Sequence, residues 1–141
     1  MAYKICINEP KTKKSFQIEK EVPSLVGLKI GENFDGGVLG LPGFTLQLTG
    51  GSDKDGFPMR PDLTGTARKK ALMASGPGFR STEKGLKRRK YVRGNIISTD
   101  IMQVNCKITE GEGDVATMLG IQPKEKKEEA PKEEKPAEPK A

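Results

Sequence analysis

The chain has no histidine and no tryptophan, only two cysteines, and aromatics make up 5% of its 141 residues. Each shortage closes off a chemistry. Without histidine there is no imidazole base and no histidine-activated nucleophile. Cys6 and Cys106 are far apart and form no C-x-x-C pair. A four-ligand zinc site cannot be assembled from them, so no metal or other cofactor is expected. Two buried, reduced thiols in a cytoplasmic protein are the expectation instead. No apolar run approaches the roughly 18 residues of a spanning helix, so no membrane partner is expected. Met1-Ala2-Tyr3-Lys4 leads straight into an alternating strand pattern. With no apolar h-region there, no secretory signal is expected.

What is abundant is glycine (17), proline (10) and charge (31%), with a net charge of +6. That charge is concentrated. Residues 54–93 hold twelve bases: Lys54, Arg60, Arg68, Lys69, Lys70, Arg80, Lys84, Lys87, Arg88, Arg89, Lys90 and Arg93. Only Asp55, Asp62 and Glu83 oppose them, so the window nets +9. Residues 1–53 and 122–141 each net zero, and residues 94–121 net −3. Solubility needs interspersed signs, whereas a one-sign concentration is the footprint of a polyanion binder. The run Lys87-Arg88-Arg89-Lys90 repels itself unless anions lie beside it. Phe57, Phe79 and Tyr91 are the aromatics of this window. Each suits either stacking on unpaired bases or core packing. With so few, recognition should rest on phosphates and shape.

Leu, Ile, Val and Phe number thirty, and none lies in the last twenty residues. The first 121 residues can therefore bury a modest core. Residues 122–141 contain only Gln, Pro, Lys, Glu and Ala and are expected to be a disordered tail. Tyr3, Ile5 and Ile7 alternate with Lys4, Cys6 and Asn8, which reads as a half-buried strand. A second strand around Phe16 and Ile18 completes a hairpin across the turn at residues 8–12. One helical turn is expected before Gly31. Further strands are expected at 44–49, 68–74, 91–98 and 104–109. Residues 50–56 and 80–90 read as loops, and residues 115–120 as a short helix with Asp114 as N-cap and Gly120 as its stop. Short strands with glycine turns predict a mostly β fold: a small twisted β-barrel with glycine-rich loops and one short C-terminal helix.

Nucleotide-site patterns fail on inspection. Gly51 and Gly56 have P-loop spacing, but Phe57-Pro58 stands where Lys-Ser or Lys-Thr is needed. Gly111-Glu112-Gly113-Asp114-Val115-Ala116 matches G-x-G-x-x-A, yet its two acids would repel a pyrophosphate and no βαβ unit follows. Asp53 and Asp55 are a conceivable carboxylate pair, but beside glycines they read as turn formers. No catalytic residue and no small-molecule substrate is expected.

Several runs occur in one order: Ile30-Gly31-Glu32, Leu39-Gly40-Leu41-Pro42-Gly43, Thr49-Gly50-Gly51-Ser52-Asp53-Lys54-Asp55-Gly56-Phe57-Pro58-Met59-Arg60, Gly76-Pro77-Gly78-Phe79-Arg80, and Gly85-Leu86-Lys87-Arg88-Arg89-Lys90-Tyr91-Val92-Arg93-Gly94. Over about residues 3–110 the chain closely resembles the small-subunit ribosomal protein six family of archaea and eukaryotes, which is unrelated to the bacterial protein of that number. The resemblance implies a non-enzymatic small-subunit component in the cytoplasm, with ribosomal RNA and neighbouring ribosomal proteins as partners. Eukaryotic members carry a long basic C-terminal helix ending in a phosphorylated serine cluster. This chain ends in a neutral Lys/Glu/Pro tail without serine, so that switch does not carry over; the short form resembles archaeal members. The combined expectation is an RNA-binding domain at 1–121 and a tail at 122–141. The twelve bases above would meet phosphates. Gly50, Gly51, Gly56, Gly76 and Gly78 would allow close backbone approach. Among them, Gly50 and Gly51 are expected to matter for stability and Gly56 for affinity. The competing readings are a free-standing RNA-binding or ribosome-assembly module and a nucleotide-binding enzyme.

Overall fold

The computed structural model describes residues 2–111, 113 and 115–120. Among the described residues, seven strands carry the fold: β1 (Tyr3–Glu9), β2 (Lys14–Lys20), β3 (Asn33–Asp35), β4 (Thr45–Asp53), β5 (Arg68–Met73), β6 (Arg88–Arg93) and β7 (Ile101–Glu110). Five of them form one sheet in the order β2-β1-β7-β4-β3, while β5 and β6 form a two-stranded ribbon, with Arg93 of β6 also bridging Met59. Two 3-10 turns, Pro23–Leu25 and Gly36–Leu39, and one short helix, α1 (Val115–Met118), complete the described elements.

The period of two in the sequence builds the core. β1 turns Tyr3, Ile5 and Ile7 inward, and β7 turns Val104, Cys106 and Ile108 inward. The two strands pair in parallel with Ile5 beside Val104 and Ile7 beside Cys106. Across β2, Phe16 faces Ile7 and Ile18 faces Ile5. Across β4, Leu46 faces Ile108 and Leu48 faces Cys106. This apolar layer is covered by Leu25, Leu39, Leu41, Phe44, Ile97 and Val115, all buried. Each fully buried aliphatic side chain contributes roughly 1.5–3 kcal/mol relative to exposure. Burial pushes the Cys106 thiol up to about 12, so it stays protonated. Both cysteines are free; Cys106 is buried as expected, but Cys6 lies on the other side of β1 and is half-buried.

The mostly β architecture and the single short helix match the sequence reading. The barrel is open: among the described residues, β2 and β3 are sheet edges that do not pair with each other. Lys20 Nζ donates to the Val38 carbonyl at 3.0 Å and ties the end of β2 to the second 3-10 turn. The Asp114 cap, Ile121 and the tail at 122–141 lie outside the described residues.

Several boundaries differ from expectation; β7 begins at Ile101, three residues earlier than expected, and the larger differences are in β4 and β6. β4 does not stop at Thr49 but continues through Gly50-Gly51-Ser52 to Asp53. Register shifts after Leu48 and Ser52 absorb the irregularity, and the long partner β7 supplies the hydrogen bonds that glycine's weak strand preference would forfeit. β6 begins at Arg88, inside the run read as a basic loop, because alternate side chains of a two-stranded ribbon point to opposite faces. It ends at Arg93 instead of Ser98. A Cβ at Gly94 would overlap the Gly65 carbonyl, and the chain there turns away to bridge Ile96 to Lys29.

The glycines at residues 50–56 have distinct reasons. A Cβ at Gly51 would overlap the Gln103 carbonyl oxygen of β7, and Met59 Sδ would lie 3.2 Å away. Gly50 has open space around that position and ordinary backbone, which overturns the expectation that its replacement is costly. Gly56 stands at φ +83 and donates its N–H to the Asp53 carbonyl at 2.8 Å, closing a left-handed turn. The expectation that Gly56→Ala spares the free domain is therefore reversed. Urea unfolding should show Gly51→Ala destabilised by about 1–3 kcal/mol through overpacking. Gly56→Ala should lose about 1 kcal/mol or more through backbone strain. Gly50→Ala should stay within about 0.5 kcal/mol of the parent. Equal losses at Gly50 and Gly51 would contradict the β4–β7 register.

Candidate nucleic-acid interface

The β5–β6 ribbon stands apart from the main sheet, so something must hold it. Arg68 opens β5 and Arg93 closes β6, directly opposite each other in the register. Like charges facing each other across a ribbon repel. Asp53, whose side chain at the end of β4 is fully buried, sits between them. Its Oδ2 accepts from Arg68 Nη2 at 2.5 Å and from Arg93 Nη1 at 2.6 Å. Arg93 Nη2 also donates to Asp100 Oδ2 at 2.8 Å and to Ser98 Oγ at 2.9 Å. Arg68 Nη2 reaches Asp55 Oδ2 at 2.6 Å, and its guanidinium lies 4.5 Å over the Phe57 ring. The backbone joins the same place. The Arg93 N–H donates to the Pro58 carbonyl at 2.9 Å, and the Met59 N–H to the Gly51 carbonyl at 2.9 Å.

Burial alone would raise the Asp53 carboxyl, but the hydrogen bonds from Arg68 and Arg93 outweigh it and hold it below the ordinary aspartate range. The Arg93 hydrogen bond lowers Asp100 in the same way. Arg93 is only 6% exposed. Burial opposes its charge, yet Asp100 and Asp53 more than restore it. Sequence reasoning placed Asp53 and Asp55 in a turn and did not find Asp100 or Ser98. Asp53 lies forty residues from Arg93, and although Ser98 and Asp100 are only five and seven residues away, no pattern in the sequence marks them as its partners.

The twelve bases thus divide. Arg68 and Arg93 belong to the ribbon's base. Arg60 pairs with Asp62 at 2.6 Å, and Lys54 with Asp100 at 3.8 Å. The other eight have no ion-pair partner among the described residues: Lys69, Lys70, Arg80, Lys84, Lys87, Arg88, Arg89 and Lys90. All are exposed, on the ribbon or on the connection between its strands. Lys70 Nζ lies 5.5 Å over the Tyr91 ring, opposite it in the register. The connection folds back on the protein. Gly78 is left-handed, and a Cβ there would lie 2.8 Å from Pro58 Cγ. Gly76 stands at φ +119, a left-handed backbone that favours glycine, and a Cβ there would make only ordinary contact with the Arg60 guanidinium. Gly51 and Gly78 therefore each make a close approach within the protein itself, whereas Gly76 is needed for its backbone angle. Phe79 is half-buried beside this loop, and Tyr91 is exposed. The arrangement is a cationic projection on a neutralised base. It can bind polyanions, and it presents no activated nucleophile.

The chain is similar to known proteins of one family. The family model described as "Ribosomal protein S6e" matches residues 3–120. The small ribosomal subunit protein eS6 of Methanosphaera stadtmanae is 49% identical over 130 residues, covering 92% of this chain and 100% of that protein. The protein of the same name from Methanocaldococcus jannaschii is 46% identical over 127 residues, covering 89% and 97%. That from Archaeoglobus fulgidus is 48% identical over 109 residues, covering 74% and 84%.

Removing Asp53 leaves two guanidiniums facing each other, one of them buried. Asp53→Ala should destabilise the domain by about 3–5 kcal/mol, the usual effect of stripping one partner from a buried pair. The pH dependence follows from the sign of the shift. A carboxyl held below its unfolded value of about 3.9 contributes in full above that pH. Its contribution disappears as pH falls through the folded value. Below about pH 4 the unfolding free energy should therefore fall more steeply for the parent than for Asp53→Asn. Parallel acid-unfolding curves would refute a stabilising role for this carboxylate.

Proposed function

The chain belongs to the ribosomal protein S6e family, non-enzymatic components of the small ribosomal subunit, and from that premise we propose that it binds small-subunit ribosomal RNA through the cations of the β5–β6 ribbon and its connection. The observation that carries this reading is the division of charge. The cations at the ribbon's base are neutralised by Asp53, Asp55 and Asp100, while the eight beyond it are exposed and unpaired among the described residues. Eight like charges on one projection repel each other, and a phosphate backbone relieves that repulsion while releasing its counterions. In this reading the protein acts in the cytoplasm as part of the ribosome, alongside other ribosomal proteins. The residues meeting phosphate are Lys69, Lys70, Arg80, Lys84, Lys87, Arg88, Arg89 and Lys90, and the glycine turns hold the loops that present them.

Replacing Lys87, Arg88, Arg89 and Lys90 together by Ala should weaken binding to small-subunit RNA. It should also flatten the plot of log affinity against log salt by roughly 0.7–0.9 for each phosphate no longer neutralised. An unchanged slope would refute the assignment. Sedimentation of a lysate in high salt separates an integral subunit protein, which stays with the particle, from an assembly module, which leaves it. The domain boundary is part of the same proposal. Residues 122–141 carry none of the core-forming residues and no net charge. Truncation after Gln122 should leave both the melting temperature and subunit incorporation as in the full chain. Failed incorporation would give the segment a docking role.

A further inference from the structure

The ribbon's face beside the Phe57–Pro58 turn forms a cleft of about 520 Å³, within the roughly 300–1,000 Å³ usual for sites that enclose a small ligand. Its walls are Phe57, Pro58 and Tyr91, and its rim carries Lys70, Arg89 and Lys90. Among the described residues, no acidic side chain lines it. We propose that this cleft holds one unpaired nucleotide of the RNA, its base stacked on the Tyr91 ring and its flanking phosphates on Lys70 and Arg89, which share the ring's face of the ribbon. This rests on the RNA-binding reading above and adds to it a base-contacting site on an otherwise phosphate-directed surface.

Tyr91 is the aromatic that the fold does not consume. The chain has two tyrosines. Tyr3 is 3% exposed within the core, whereas Tyr91 is 49% exposed on the ribbon. Exposed as it is, the ring is not loose. Phe57 meets it edge to face, with centroids 5.9 Å apart and planes at 61°. Phe57 is in turn fixed by the Arg68 guanidinium over its own face, and Arg68 by Asp53 and Asp55. The charge cluster at the ribbon's base therefore orients the aromatic above it. A ring already held in place loses little conformational freedom on stacking. Lys70 lies over Tyr91 on a flexible stem and can exchange that contact for a phosphate when a base arrives. Gly56 and Gly78 also line the cleft and add no side chains to close it.

The ligand follows from this chemistry. A base inside a duplex has both faces covered and cannot lie on the ring; an unstacked one can. Two cations, Lys70 and Arg89, on the same face as an aromatic match a ligand that joins a flat apolar face to anions on both sides. Base-on-aromatic stacking accepts any base, so the site should read single-strandedness rather than sequence.

The test uses the full chain and two probes, a single-stranded oligouridine and an RNA duplex of the same length, titrated across a range of salt. Tyr91→Ala should weaken single-strand binding by between about 5-fold and about 150-fold, the range that corresponds to one stacked base. The salt slope should be unchanged, because every phosphate-binding cation is retained. Duplex affinity should stay within about twofold. Tyr91→Phe keeps the ring and should bind the single strand like the parent. Tyr91→Leu keeps packing against Phe57 without a π face and should bind as weakly as Tyr91→Ala. Rescue by Leu would show that the ring only props Phe57 and would overturn the proposal. Unchanged single-strand affinity in Tyr91→Ala would overturn it as well and assign the cleft to a protein neighbour. If the parent binds neither RNA, the RNA-binding reading itself falls and takes this site with it. If it binds both and only the four-residue Ala variant loses affinity, the phosphate surface stands without the base site.

Discussion

One buried carboxylate sets the geometry of the charged half of this protein. Asp53 accepts hydrogen bonds from two arginines that oppose each other across the ribbon. Without it the base of the ribbon would be a point of repulsion. A buried ion pair is poor evidence of net stability, since desolvation offsets most of its attraction. Its value here is registration. Arg93 divides its guanidinium among Asp53, Asp100 and Ser98, joining the end of β6 to the end of β4 and to the start of β7. A lysine ammonium is a single point on a flexible stem and could not hold three partners in fixed directions.

The same cluster separates two kinds of cation that a charge count merges. Arg68 and Arg93 belong to the most basic stretch of the chain, yet their charge is answered within the fold. Lys69 and Lys70 are their sequence neighbours and have no ion-pair partner among the described residues. Alternation on β5 turns Lys69 to the face opposite Arg68, while Lys70, on the same face as Arg68, lies over Tyr91 instead of an acid. The protein thereby concentrates repulsion where a partner can relieve it and removes it where strands must meet.

That difference marks the limit of what the sequence discloses. Strands β1, β2 and β7 are legible because Ile5, Ile7, Phe16, Val104 and Cys106 alternate with polar residues and one face is buried. β3 is three residues long, too short for any period to show. The Gly50-Gly51 extension of β4 is hidden because its support comes from β7, some fifty residues further on. β6 is hidden because four consecutive cations read as solvated loop, while a ribbon tolerates them by alternation. The basic region is visible as a sum of charges. Its division into anchor and surface is not, because Asp53 and Asp100 lie outside the stretch that the sum describes and only the fold brings them to it. The cleft at Tyr91 is less legible still, since composition gives no means of telling an exposed ring from a buried one.

The parallel pairing of β1 with β7 has a kinetic consequence. Lys4 lies beside Gln103 at the centre of the five-stranded sheet. The strand made first therefore waits, with only β2 as neighbour, until β7 follows nearly a hundred residues later. Contacts of such long sequence separation close large loops and slow folding. During synthesis, β4 likewise lacks its long partner, and the arginines of the ribbon lack Asp100. The emerging chain thus carries its most cationic segment before the scaffold that orients it exists. Polyanions near a nascent chain would meet an unordered form of that segment first. The last strand to be made both completes the core and fixes which of those charges turn inward.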